Sequence, residues 1–200
     1  MKKTIALLLA LALTLGIGAA SADSWLDWLN GIVSTAESTE AEPADTEPAA
    51  TEPVTDTPSA TGLALQALLD ENGLTYTYDG KMSDDSDSYY LSFGSDSHSY
   101  EVDIYLLPDG THGELRIWNL IDYEEASFSD VLLAVDELNG SYKYTTFQTD
   151  RTDNSVTVSL DLIYPSDATP EQAADVTFEA MVRMVQIVRQ AWPTLEPYNK

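Results

Sequence analysis

Apolar residues recur at steps of three and four in three stretches of the chain, which predicts three helices. The first helix begins at about Gly62 and ends at Asn72-Gly73, where glycine tolerates the left-handed conformation. The second begins near Ser127, whose hydroxyl is expected to cap it, and Asn139-Gly140 stops it. Its inward-facing residues are expected to be Phe128, Leu132, Val135 and Leu138.

The third helix has the clearest beginning in the sequence. Thr169 is placed to cap it, Pro170 suits the first helical position, and Gln172 is placed to complete a capping box. Pro193 is expected to end it. The residues of its apolar stripe are Ala174, Phe178, Met181, Val185, Val188 and Trp192.

Alternation of apolar and polar residues predicts the strands, which lie between the helices and are separated by short turns. The strand segments are Leu74–Tyr78, Tyr89–Phe93, Tyr100–Leu106, Glu114–Ile121, Tyr142–Thr149 and Ser155–Ile163. The order is helix, three or four strands, helix, two strands, helix. It predicts an α+β domain, with a curved antiparallel sheet of about five strands and the helices on one face.

Three segments precede the predicted domain at residues 62–200. Residues 1–22 combine two lysines, an apolar stretch and Ala20-Ser21-Ala22, the layout of a secretory signal peptide cut between Ala22 and Asp23. A retained membrane anchor is the alternative, because the apolar stretch approaches the ~20 residues that span a bilayer. Residues 23–33 form a short amphipathic segment, and residues 34–61 an acidic Thr/Glu/Pro/Ala linker that is predicted to be disordered. The domain is therefore expected to be secreted or held in the cell envelope.

The chain is strongly acidic and contains no cysteine. Removal of Lys2 and Lys3 with the signal peptide changes the formal net charge from −25 to −27. Such a surface repels phosphate backbones and anionic lipid, so we expect no nucleic-acid or membrane-surface binding. Cationic partners are compatible with it, and so is a role of the acidity in solubility alone. Without cysteine there is no disulfide and no thiolate metal site.

Local sequences at the ends of the predicted elements carry a family resemblance. They are Leu68–Tyr76, Val135–Asn139, the hairpin Tyr142–Asp161 and Thr169–Glu171. Together with the order of elements over most of residues 62–200, they resemble the YbjN-like family of bacterial domains, whose fold is similar to that of type III secretion chaperones. The resemblance implies no catalytic residues, because the family is not known as a set of enzymes.

Chaperones of similar fold are small, acidic and often dimeric, and they bind extended peptide segments. By analogy of fold, the resemblance implies a protein or peptide partner, or a homodimer. This chain departs from those chaperones because it is predicted to be exported behind a long linker.

Aromatic residues mark one candidate site on the predicted sheet. If the apolar residues of each strand point to the core, Tyr90, Tyr105, Arg116 and Trp118 point away from it. Aligned on neighbouring strands, they would form an aromatic surface with one cation, suited to a partner strand, a peptide or a sugar. Alternatively, the amino-terminal segment, a dimer mate or a third helix covers this face.

Two weaker patterns concern metal binding and catalysis. Asp84, Asp85 and Asp87 offer hard oxygen ligands of the kind that calcium prefers, but a solvated acidic loop is the simpler explanation of them. The histidines, His98 and His112, lie in predicted turns as ordinary solvated side chains, and no nucleophile motif accompanies them. The sequence predicts no catalytic residue and no cofactor.

The leading functional hypothesis is an exported, non-enzymatic interaction domain that presents its sheet to a protein or peptide partner or to a second copy. A hydrolase of cell-envelope material is one alternative. A weakly calcium-responsive surface protein is the other. An enzyme requires a pocket with convergent polar groups, whereas an interaction domain requires an open surface patch.

Overall fold

The computed structural model describes residues 57–95 and 98–200. In that part of the chain, three helices accompany a single antiparallel sheet of six strands. The helices are α1 (Ala60–Glu71), α2 (Phe128–Ser141) and α3 (Pro170–Leu195). The strands are β1 (Thr77–Lys81), β2 (Asp87–Ser95), β3 (His98–Leu106), β4 (His112–Asp122), β5 (Thr146–Asp150) and β6 (Ser155–Ile163). The predicted α+β class is confirmed, with six strands instead of about five.

The predicted signal peptide (1–22), the amphipathic segment (23–33) and the linker as far as residue 56 lie outside the described residues and stay predictions. Within residues 57–95 and 98–200, no helix combines the length and the apolar character needed to cross a membrane.

The strands follow the order β1-β2-β3-β4-β6-β5, and every neighbouring pair is antiparallel. The first four strands are sequential neighbours, as short turns between antiparallel strands favour. From β4 the chain passes through α2 to the edge strand β5 and returns beside β4 as β6. The sheet is open, and its two edges are β1 and β5.

The apolar residues of the strands form the core on one face of the sheet. On β3, Val102, Ile104 and Leu106 are at most 2% exposed, and on β4, Leu115 and Ile117 are fully buried. The core residues of β6 and α3 include Val156, Val158, Leu160, Leu162, Met181, Val185 and Val188. The predicted phase of these strands is confirmed. Each large apolar side chain buried in this way stabilises the fold by roughly 1.5–3 kcal/mol.

The ends and inward face of α2 differ from the sequence prediction. Ser127 has helical backbone angles and lies in a 3-10 turn at Glu125–Ser127, so its hydroxyl does not cap the helix. Leu132 is 46% exposed instead of buried. The helix also continues past Gly140 to Ser141. Its buried residues are Val131, Ala134, Val135 and Leu138.

The capping box that begins α3 is present as predicted. Thr169 accepts a hydrogen bond from the Gln172 backbone N–H, and the Gln172 side chain accepts one from the Thr169 N–H at 2.9 Å. The prediction that Pro193 ends the helix was wrong, because α3 continues through it to Leu195. A proline so close to the end of a helix removes few backbone hydrogen bonds.

Helix α1 begins at Ala60, two residues before the Gly62 expected from the sequence. Ser59 is the cap: its hydroxyl accepts a hydrogen bond from the Gly62 N–H at 3.1 Å. The same hydroxyl donates to the carboxylate of Asp87, which also accepts the Ser59 N–H at 2.9 Å. The beginning of the helix is therefore fixed by a residue of β2, which periodicity within the helix cannot reveal.

Asp87 joins α1, β1 and β2 through one buried carboxylate. Its side chain has no exposed surface. Besides the two bonds from Ser59, it forms an ion pair with Lys81 at 2.6 Å and accepts a hydrogen bond from the Tyr78 hydroxyl at 3.2 Å. Removing one member of a buried ion pair leaves the other charge uncompensated, which is strongly destabilising.

Asp87→Asn is therefore expected to lower the free energy of unfolding by about 2 kcal/mol or more, because it removes the buried carboxylate charge that pairs with Lys81 and accepts the hydrogen bonds of Ser59. Asp85→Asn is the matched control: the same chemical change at an exposed position, where asparagine tolerates the positive φ of 65°. Chemical denaturation of the full chain measures both. Equal stabilities of the two variants would contradict this role for Asp87.

His98 is not the solvated turn residue expected from the sequence. It begins β3 and stacks on Trp192 of α3, with ring centroids 3.4 Å apart and planes inclined by 20°. Its Nε2 atom is buried and has no hydrogen-bond partner in the described part of the chain. Burial lowers the pKa of His98 below its ordinary value, against an opposing effect of Glu196.

The pKa of His98 is lower in the folded chain than in the unfolded chain, so the unfolded chain takes up a proton at His98 first as pH falls. The stability that neutral His98 contributes is therefore lost as pH falls below about 6.5. His98→Phe keeps an aromatic ring on Trp192 and removes the proton site. Between about pH 7 and pH 5, the wild type is expected to lose unfolding free energy relative to this variant. Carboxylates titrate in both proteins and cancel in the difference. Parallel stability curves over this range would contradict the prediction.

Candidate interaction surface on the outer face of the sheet

The outer face is the side of the sheet opposite the helices, formed by the strand residues that alternate with the core. All four residues predicted for partner binding lie on it: Tyr90 on β2, Tyr105 on β3, and Arg116 and Trp118 on β4. Each is flanked along its strand by a buried residue, except where β4 becomes irregular after Trp118. Trp118 is 49% exposed, which is unusual for the largest side chain.

Strand register brings three of the four residues into two adjacent rows, and Trp118 lies beyond them, two residues after Arg116 on β4. Tyr90 pairs with Asp103, and Asp103 pairs with Arg116, so these three cross β2, β3 and β4 in one row. Tyr105 pairs with Glu114 in the next row. Side chains directly opposite each other in such pairs are about 5 Å apart at Cβ. The aromatic surface predicted from the sequence is therefore contiguous.

Contacts among four side chains, here called the outer-face cluster, hold Trp118 in place. Glu114 forms an ion pair with Arg116 through the Nε atom of the guanidinium. The Arg116 guanidinium lies 4.7 Å from the ring centroid of Trp118, a cation–π contact. The Trp118 indole N–H lies near the Tyr105 hydroxyl and opposes the rise in the pKa of Tyr105 that burial causes. The cluster fixes the orientation of an indole that is still half exposed.

Two carboxylates of the outer face were not predicted as site residues. Glu101 and Asp103 precede Tyr105 on β3 at steps of two, so the same alternation directs them outward. Asp103 has no ion pair or hydrogen bond with any described residue, although Arg116 lies opposite, because Arg116 pairs with Glu114 on its own strand. Burial, together with the charges of Glu101 and Asp79, raises the pKa of Asp103. The alternation could have identified both acids, but the pairing of Arg116 could not be read from the sequence.

The three acids suggested as a calcium site do not converge. Asp87 points into its buried network with Ser59 and Lys81. Asp84 accepts a hydrogen bond from the Ser86 N–H at 3.0 Å, an ordinary turn contact that lowers the pKa of Asp84. Among the described residues, no group of three His, Asp or Glu side chains is placed to hold a metal ion. The structure gives the calcium alternative no support.

His112 is exposed in the turn before β4, as the sequence predicts, and its contacts do not form a catalytic relay. Its Nδ1 atom lies 2.9 Å from Asp109 Oδ2 and 2.7 Å from Thr111 Oγ1. A nucleophile–histidine–acid relay requires the acid and the nucleophile on different ring nitrogens. Here both contact the same nitrogen. Hydrogen bonds from the Thr111 N–H and from His112 lower the pKa of Asp109 to about 2, so the carboxylate of this turn is charged at neutral pH.

No protein-family model matches the chain, and no curated protein matches it. Among solved structures, the chain is similar to the crystal structure of YbjN from E. coli, a candidate transcription regulator. The similarity has 15% sequence identity and a TM-score of 0.45, and it covers 68% of this chain and 94% of that one. It agrees with the YbjN-like resemblance of the sequence and concerns fold alone.

Proposed function

We propose that this chain is an exported, non-enzymatic interaction domain that binds a protein or peptide partner on the outer face of its sheet. The observation that carries the proposal is Trp118, which is half exposed and yet held by Arg116 and Tyr105. Tryptophan, tyrosine and arginine dominate binding energy at interfaces more often than other residues. A side chain already fixed in orientation loses little entropy when a partner binds it.

Protection of the sheet edges supports binding on the face instead of an edge. On β5, the Asn139 side chain of α2 bonds both backbone groups of Phe147, accepting from its N–H at 2.8 Å and donating to its C=O at 2.9 Å. These groups are therefore not open to an added strand. On β1, the register shifts between Tyr78 and Gly80, and the exposed Asp79 adds charge. Bulges and charges are common ways to discourage edge pairing.

Export is part of the proposal and rests on the sequence of residues 1–22. The part of the predicted linker (34–61) that precedes the described residues is residues 34–56, and a flexible chain of that length would have a mean end-to-end distance of roughly 26 Å. Such a linker would separate the domain from the amphipathic segment at residues 23–33. Amino-terminal sequencing of protein recovered outside the cytoplasm is expected to begin at Asp23. Recovery only as an uncut chain in the membrane fraction would contradict export.

Trp118→Ala is expected to weaken partner binding by about 30-fold, the equivalent of ~2 kcal/mol, while the fold is retained. Peptides selected from a random display library on the full chain serve as ligands, and their affinities for wild type and variant are compared. Leu133→Ala is the matched control, because Leu133 is 69% exposed on α2, away from the outer face. Analytical ultracentrifugation of the same proteins tests whether the partner is a second copy.

Two results would overturn the proposed site. Equal loss of affinity in the Trp118 and Leu133 variants would show that exposure of apolar surface, and not the outer face, drives capture. Cooperative unfolding of the Trp118 variant at a much lower denaturant concentration, without a separable effect on binding, would make Trp118 a structural residue.

A further inference from the structure

We infer that the occupant of the outer face is a basic, extended segment of a partner protein, with a lysine or arginine side chain seated against Asp103 and Glu101. This inference rests on the proposed function and names the chemistry of the partner. It follows from three features of the described residues: uncompensated negative charge on the face, aromatic rings beside that charge, and the absence of a suitable cation within the chain.

The negative charge of the outer face is not neutralised where Asp103 lies. Arg116 is the cation nearest in register, but its ion pair with Glu114 and its stack on Trp118 engage it already. Asp103 is half-buried and lacks an ion pair or hydrogen bond within the described residues, and Glu101 lies two residues away on the same face. Asp79 of β1 adds a further negative charge nearby. A cation bound here would gain the attraction of three carboxylates without displacing an existing ion pair.

Aromatic rings beside the carboxylates suit a long basic side chain. Tyr90 lies directly across from Asp103, and Tyr105 follows it at a step of two on the same strand. Lysine and arginine bury their aliphatic stems on apolar surfaces while the charged group reaches polar neighbours, and cations are attracted to aromatic faces. The combination of rings and carboxylates that lack an ion pair among the described residues therefore fits a basic side chain better than an apolar one.

An extended segment matches the spacing of the rows. Alternate residues along a strand are about 6.6 Å apart, and an extended peptide places alternate side chains at the same interval. One side chain of the peptide can thus lie against Asp103. The side chain two positions along the peptide then reaches an adjacent row, which contains Tyr105 and Glu114 in one direction and Glu101 in the other.

Charge separates this occupant from the two that the chain itself could supply. No lysine or arginine lies between Lys3 and Lys81, so neither residues 23–33 nor the linker carries a basic side chain to the outer face. A second copy has a formal net charge of −25, so its acidic side chains would face those of the first copy and repel them. Like charges brought together at an interface disfavour the complex.

The test is a fluorescence anisotropy titration of the full chain with two labelled peptides of 12 residues, which are about 40 Å long when extended. One alternates lysine with leucine, and the other replaces every lysine with glutamine. Salt at 0.15 M screens charges beyond about 8 Å, so that the overall charge of the chain contributes little. The lysine peptide is expected to bind at least about tenfold more tightly than the glutamine peptide.

Asp103→Asn is expected to lower the affinity of the chain for the lysine peptide about tenfold and to leave its affinity for the glutamine peptide unchanged. This variant is expected to fold at least as well as wild type, because the fold disfavours the charged form of Asp103. Its matched control is Asp136→Asn, the same loss of charge at an exposed position of α2. The control is expected to change the affinity less than twofold.

The outcomes separate the inference from the proposed function. If both peptides bind with equal affinity and Trp118→Ala weakens the binding of both, the inference of a basic partner is wrong. The outer face is then still the binding site. Equal effects of Asp103→Asn and Asp136→Asn also overturn the inference, because affinity then follows net charge. If Trp118→Ala changes neither affinity, the outer face is not the site and the proposed function falls. Stronger binding of the chain to itself than to either peptide identifies a second copy as the occupant and overturns the inference.

Discussion

In the described part of the chain the helices cover one face of the six-stranded sheet, and this constraint determines what the opposite face can do. Side chains of a strand alternate between the two faces, so each apolar residue directed into the core directs its neighbours outward. On β3 this places Tyr105 and Asp103 outside because Ile104 is fully buried between them. A one-residue slip of register would exchange the faces and bury the acids. The core therefore fixes the composition of the outer face.

Within that face, the choice of partner by Arg116 decides where negative charge is left. Arg116 lies opposite Asp103 but pairs with Glu114, two residues before it on the same strand, and stacks on Trp118. One cation thus orients an exposed indole and neutralises one acid, while a second acid stays unpaired. Side chains held by contacts of this kind lose less entropy on binding than free ones do. The proposed preference for a basic partner and the proposed role of Trp118 both depend on this single arginine.

The sequence predicted the features that depend on local periodicity. The strand phase on β3 and β4, and with it the exposure of Tyr105 and Trp118, follows from alternation over a few residues. The capping box of α3 is likewise local, since Thr169 and Gln172 are three residues apart. Features that depend on distant residues were missed or wrong. Asp87, assigned to a candidate metal loop, is held by Ser59, which is 28 residues away in the chain.

The same limit explains the differences at His98 and Leu132. His98 was expected in solvent because its neighbours form a turn, but Trp192 of α3 packs on its ring. Leu132 was expected in the core by its spacing, but the helix begins after a 3-10 turn and buries Val131 instead. Helical spacing alone does not fix the rotation of a helix about its axis when two adjacent stripes are apolar. Sheet register and helix rotation are set by tertiary contacts, which the local pattern does not contain.

The most direct test of the account observes the indole of Trp118 itself. The chain has four tryptophans, so labelling with 5-fluorotryptophan gives four fluorine resonances, and single Trp→Phe variants assign them. Addition of the lysine–leucine peptide is predicted to shift the Trp118 resonance and to leave that of Trp192, which lies on α3 against His98, in place. A shift of the Trp192 resonance with no change at Trp118 would contradict the assignment of the outer face as the binding surface.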